Sequence, residues 1–214
     1  MRNTAHRLRT FLPALLILCC PALAAAQSDY PGPEAFLKSV LQGEDSLSLE
    51  ARGDLDGDGL ADWAGVIHRR RPDSPPTYQL YVLLQARGGG YRVAEKSKEA
   101  PVAGAGCCWV EDLEIRRSSI YVQNNAKTAG TMEAATHQFK LHRGGWRLVG
   151  LRIYHTDLSA DPPASTDADI NLLTGSVIEK RQRGDGRPTT TRRRKRFPAS
   201  FLKDFDFQNG FGTE

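Results

Sequence analysis

Short runs of β-branched and aromatic residues separated by glycine, a helical period confined to one early segment, and one clear hairpin make this chain mainly β. The expected form is an antiparallel sandwich or a curled meander with one short N-terminal helix. Of the 214 residues, 40% are hydrophobic and 25% charged, which excludes disordered, collagenous and multi-spanning classes.

The order of elements begins with a leader. Arg2, Arg7 and Arg9 precede an apolar run at 11–18, and the small residues Ala24, Ala25 and Ala26 follow it. This is the pattern of a signal peptide over 1–26, and it predicts export to the periplasm or the medium. The apolar run falls far short of the roughly 20 residues that span a bilayer, so the mature form is expected to carry no transmembrane anchor. Residues 27–214 are then expected to form a single β-rich domain. A domain of that size buries roughly 70% of its unfolded surface and needs no disulfide scaffold.

Phe36, Leu37, Val40 and Leu41 recur at helical spacing after Pro31-Gly32-Pro33, so a short amphipathic helix is predicted there. Residues 78–85 read as a central strand, apolar on both faces, which Gly88-Gly89-Gly90 turns back into 91–94. Further strands are predicted at 110–115, 120–123 and 176–179. The clearest hairpin spans 137–153. With Gly144-Gly145 as its loop, Leu141 faces Leu148 and Phe139 covers Gly150. Residues 157–169 and 184–191 read as polar connections. Phe197, Phe201, Phe205 and Phe207 form a tail expected to dock on the core.

One motif carries chemistry. In Asp54-Leu55-Asp56-Gly57-Asp58-Gly59-Leu60-Ala61-Asp62, carboxylates occupy loop positions 1, 3, 5 and 9, and glycine occupies position 6. Ca²⁺ takes six to eight oxygens, and alternate residues of a tight loop point toward a common centre. Mg²⁺ suits the loop less, because it prefers a rigid octahedron and retained waters. The predicted ligands are the side chains of Asp54, Asp56, Asp58 and Asp62 and the backbone carbonyl of Leu60. Position 12 is Gly65, so the loop is not an EF-hand, and Asp62 takes the closing role. The competing reading is a solvated acidic turn.

The string GDLDGDGLADWAGVI resembles the calcium loop of FG-GAP and VCBS repeats, a strand–loop–strand unit of integrin-type propellers and secreted bacterial proteins. The resemblance implies the same five ligands and a structural Ca²⁺. It covers about fifteen residues, and one copy does not make a propeller. More of the chain is similar to a group of small exported bacterial proteins that pair such a loop with a central strand, a Gly-rich hairpin and a late Asn-Leu-Leu-Thr-Gly element, here 171–175. That similarity implies no activity.

Charge is distributed unevenly. The leader holds three arginines and no acid, so the formal net charge of +4 falls by three to +1 in the mature chain. Residues 179–196 carry nine Lys or Arg against Glu179 and Asp185, a local +7 that leaves −6 elsewhere. Lys180, Arg181, Arg183 and the run from Arg192 to Arg196 are expected on an exposed loop, 180–196, able to hold an anionic surface or polymer. No aromatic residue interleaves the run to stack on bases, so no nucleic-acid partner is expected.

Cys107 and Cys108 are the cysteines left after leader removal. Export favours oxidation, but a bond between adjacent residues closes a strained ring, so pairing between chains and two buried thiols stay open. His137 and His142 fall on opposite faces of one strand and make no metal pair. No nucleophile elbow or paired base accompanies the hydroxyls of Ser118, Ser119 or 189–191. The expectation is a non-catalytic exported protein with a recognition or envelope-associated role. The alternative is a hydrolase acting on an envelope polymer, with the cation near its substrate.

Overall fold

Among the described residues Pro33 opens the one α-helix, α1 (Pro33–Val40), where a missing N–H costs nothing, with Glu34 in the first turn and Lys38 in the last. These elements belong to a computed structural model, which describes residues 29–101 and 108–207. Phe36 of α1 is buried and meets the rings of Tyr30, Trp63 and Tyr81 edge-on, at centroid distances of 5.4, 5.9 and 5.1 Å.

The chain then forms two antiparallel sheets. In the first, β1 (Ser46–Gly53), β2 (Asp62–Arg71), β3 (Ser74–Gln85) and β4 (Tyr91–Lys96) lie side by side, and the two-residue β5 (Ala100–Pro101) adds to β3. The second runs β6 (Cys108–Arg116), β7 (Ser119–Lys127), β8 (Thr131–His142), β9 (Gly145–Asp157), β10 (Ala164–Asn171), β11 (Ser176–Gln182) and β12 (Thr189–Arg194), a meander of successive hairpins. Sandwich and meander therefore coexist: the larger sheet is the meander, and it packs on the smaller one.

β2 and β3 are buried on both faces because alternate residues serve two different cores. Ala64, Val66, Leu80 and Val82 face the second sheet, where Leu113, Ile120, Val122 and Phe139 meet them. Trp63, Ile67, Tyr81 and Leu83 point the other way and are covered by α1. This double burial makes 78–85 read as one continuous apolar run. At the corner of the sandwich β1 crosses β6 so closely that a Cβ on Gly53 would lie 2.6 Å from Ile115 Cγ2.

The phenylalanine tail docks as expected. The Leu148 N–H donates to the Ser200 carbonyl, and one 3₁₀ turn, Leu202–Asp204, sets Phe205 and Phe207 into the inter-sheet core. Phe205 packs on Phe139 at 5.1 Å and on the buried ring of His137 at 4.8 Å.

Three expectations are corrected. The β8–β9 turn is Arg143-Gly144, with φ of 50° and 84°, and Gly145 already pairs with His142. A turn of this hand matches strand twist and needs positive φ at both central residues. A bulge at Val149 shifts the register further, so Leu141 opposes Trp146, Phe139 opposes Leu148, and Gln138 covers Gly150. The connection expected at 157–169 becomes strand β10 from Ala164 onward, and the basic loop expected at 180–196 is largely the β11–β12 strand pair. Both segments lack an apolar run, and their partners rather than their own hydrophobicity make them strands.

A buried ion pair ties α1 and the α1–β1 turn to the sheet. Arg69 donates to Asp45 Oδ2 at 3.0 Å, the Val40 carbonyl at 3.2 Å, Gln79 Oε1 at 3.2 Å and the Tyr81 hydroxyl at 2.8 Å. Burial alone pushes the Asp45 carboxyl up, but the Arg71 side chain and the amides of Arg70 and Gln42 outweigh it and hold the carboxyl below its ordinary value of 3.8. A lowered folded pKa means stability present above about pH 4 and lost as pH falls through the folded value. Asp45→Asn is therefore expected to cost about 2 kcal/mol at pH 7, since it takes from buried Arg69 the nearer of its two carboxylate partners and leaves only Glu99, at 3.4 Å. In urea denaturation the difference from wild type should shrink below pH 4; a difference constant down to pH 2 contradicts the assignment.

Candidate metal centre

The acidic loop joins β1 to β2, the strand–loop–strand setting its sequence predicts. Asp54, Asp56 and Asp58 bring one carboxylate oxygen each to within 4.8 Å of one another. Backbone amides set this arrangement. The Gly57 and Gly59 N–H groups donate to the two oxygens of Asp54 at 2.7 and 3.1 Å, Asp58 N–H to Asp56 Oδ1 at 3.2 Å, and Leu60 N–H to Asp58 Oδ1 at 2.9 Å. Gly57 and Gly59 both sit at φ +85°, a conformation that side chains resist, so the glycines let the loop fold back on Asp54.

The donor set is all oxygen, which suits a hard cation such as Ca²⁺. Asp56 is exposed, while Asp54, Asp58 and Leu60 are half-buried, so the cluster opens to water on one side. Three like charges this close oppose one another, and a divalent ion between them removes that cost. Asp56 and Asp58 each spend one oxygen on a backbone amide and keep a second.

Asp62 stands apart from the three. It is fully buried at the start of β2, where its Oδ2 accepts from the Leu55 N–H at 2.7 Å and its Oδ1 from the Gln85 N–H at 2.9 Å. Burial pushes its carboxyl above the ordinary value of 3.8 against those two bonds, and the charges of Asp56 and Asp58 push in the same direction. Asp62 is therefore an anchor that joins the loop to the end of β3, and it lies near enough to feel the cluster. Leu55, its donor, is buried in the inter-sheet core, and the Tyr91 hydroxyl donates to the Ala61 carbonyl at 3.0 Å. Loop length and ligand spacing are local and readable. The bond to Gln85 spans 23 residues, and no local signal announces it.

Other residues singled out by sequence fall elsewhere. Cys108 is half-buried in β6, while Cys107 and residues 1–26 lie outside the described residues. His137 is buried on the inward face of β8, and His155 pairs with Glu133 at 2.9 Å. Of the basic run, Arg192, Arg193 and Arg194 lie on β12, whose six residues are all exposed at the edge of the larger sheet, and Lys195 and Arg196 follow the strand. Among the described residues no helix is long and apolar enough to cross a membrane.

Compared with known proteins, the chain matches no family model, no curated protein and no solved structure. The FG-GAP- and VCBS-like reading therefore stands on the loop's own residues.

The anchor and ligand roles separate experimentally. Asp62→Ala strands two amides, at about 1–3 kcal/mol each, so a loss of about 3 kcal/mol is expected in urea denaturation with chelator present. The exposed Asp56→Ala should change stability by less than about 1 kcal/mol under the same conditions. Equal losses would contradict the division of roles.

Proposed function

We propose that this is an exported, non-catalytic β-sandwich protein with a recognition or envelope-associated role, whose 54–62 loop holds one structural Ca²⁺. The observation that carries the reading is the convergence of Asp54, Asp56 and Asp58 on a loop preset by its own amides and two positive-φ glycines. The ion is held by those three carboxylates and the Leu60 carbonyl, with Asp62 behind them, and it locks the β1–β2 turn against the core. Export is supported by the order of charge, apolar run and small residues over 1–26.

The partner side of the reading rests on the β11–β12 pair. Lys180, Arg192 and Arg194 fall on one face of the pleat by alternation and register, at a sheet edge with water around it. Such an array holds an anionic surface or polymer by charge, with an affinity that salt weakens. The hydrolase alternative needs the cation beside a substrate cleft. Among the described residues, one cavity lies on the outer face of β6–β10 and another between the α1–β1 and β2–β3 turns, and neither includes a residue of the 54–62 loop. No observation favours that alternative.

Saturating Ca²⁺ is expected to raise the calorimetric melting temperature by about 5 °C or more and chelator to reverse it. Asp56→Ala should melt as the chelated protein does. A transition indifferent to Ca²⁺ at millimolar concentration sinks the metal reading. Separately, retention on a heparin column should disappear when Arg192, Arg193, Arg194, Lys195 and Arg196 are changed to Gln. Retention that persists rules out this edge as the anionic contact.

A further inference from the structure

The inward side chains of β6–β10 belong to the core, and their outward neighbours line a cavity of about 450 Å³ on the opposite face of the sheet. Two cross-strand rows form its floor. Gln123, Thr136, Arg152 and Asp169 lie abreast on β7, β8, β9 and β10, and beside them Tyr121, Gln138 and Gly150 form a second row. With neighbouring strands roughly 4.8 Å apart, four abreast span roughly 14 Å.

These groups are held in place before any ligand arrives. Arg152 is gripped by Asp167 through two bonds of 2.9 Å. Gln138 donates to Ser119 Oγ at 3.2 Å, and Gln123 donates to Asn125 Oδ1 at 3.2 Å. The guanidinium of Arg116 lies 4.0 Å from the Tyr121 ring centroid at one end of the cup. A Cβ on Gly150 would come within 2.8 Å of Gln138 Oε1, so the bare glycine lets the amide lie across β9.

The chemistry of the lining selects the ligand. Asp112, Glu114 and Asp169 oppose Arg116 and Arg152, which leaves the cup near neutrality at about −1. Polyanions gain nothing from such a field, and a hydrophobic ligand finds no apolar floor. What the floor offers is a dense alternation of amide, hydroxyl, carboxylate and guanidinium groups with one aromatic wall. The ligand that matches is uncharged and carries many hydroxyls, each able to donate and to accept.

We propose that the polar cup on the outer face of β6–β10, where Gln123, Gln138, Arg152 and Asp169 converge, is a binding site for an uncharged oligosaccharide. The inference rests on the recognition reading above and names its ligand class. The site is separate from both the 54–62 loop and the basic edge.

Titration calorimetry on the full chain with three probes tests it: cellohexaose, laminarihexaose and chitohexaose. At least one should bind with a Kd below about 1 mM, and Gln123→Ala and Gln138→Ala should each weaken it about tenfold, the loss of one or two well-placed hydrogen bonds. Thr136→Arg, which fills the floor without touching the core, should abolish binding while the circular dichroism spectrum and the Ca²⁺ melting shift stay unchanged. Asp56→Ala should leave sugar binding intact. Failure of all three sugars at millimolar concentration overturns the inference, as does binding that survives Thr136→Arg. A protein that ignores the sugars yet is held by heparin through β12 overturns this inference and leaves the recognition reading in place.

Discussion

The constraint on which the rest of the structure depends is that β2 and β3 are apolar on both faces. A two-sided apolar pair needs two covers, and the chain supplies them from opposite ends. α1 brings Phe36 to one side, while the seven-stranded meander and the Phe205–Phe207 tail close the other. Each large side chain buried this way contributes about 1.5–3 kcal/mol, so neither cover is dispensable on hydrophobic grounds alone. The Asp45–Arg69 pair adds geometry more than energy. A buried ion pair barely repays its desolvation, but it fixes where the end of α1 meets β2.

The 54–62 loop inherits its position from the same two strands. Leu55 inserts into the inter-sheet core, and the buried Asp62 carboxylate joins the loop's first turn to the last residue of β3. Asp54, Asp56 and Asp58 sit on the wet side of that anchor. A rigid attachment below and three tethered carboxylates above give a loop whose shape is largely set by the protein. An ion bound there would relieve repulsion instead of organising a disordered segment. This arrangement suits a structural metal, because a loop shaped in advance loses little conformational entropy when the ion binds.

How much of this was legible depended on whether the signal was local. The helix at Pro33–Val40, the 78–85 part of β3 and the Asp loop all declare themselves within a few residues, through periodicity, double-sided burial and ligand spacing. β10 and β12 do not. Ala164–Asn171 contains one large apolar residue, Ile170, and Thr189–Arg194 contains none, so each is a strand only because an antiparallel partner pairs with it. The β8–β9 register escaped for a related reason. A bulge at Val149 and a turn at Arg143-Gly144 each move the pairing, and one step of register exchanges the two faces. The outer polar cup lay still further from view, because its rows exist only once five strands are in register.

The basic edge meets a physical demand whether or not it binds an anionic partner. Among the described residues β12 ends the larger sheet with no strand on its far side, an edge that invites pairing with another chain. Six exposed residues, three of them arginine, oppose that pairing by charge repulsion, whatever else they bind. Glu179, buried at the base of the pair, takes Arg181 and Arg193 as partners and so commits part of the charge to holding β11 and β12 together. The remaining cations point to water. Neutralising them to remove an anionic contact also strips the edge of its protection, so loss of heparin retention should come with slow self-association. A protein that loses retention and stays monodisperse indicates that Thr189–Arg194 was charged for its partner alone.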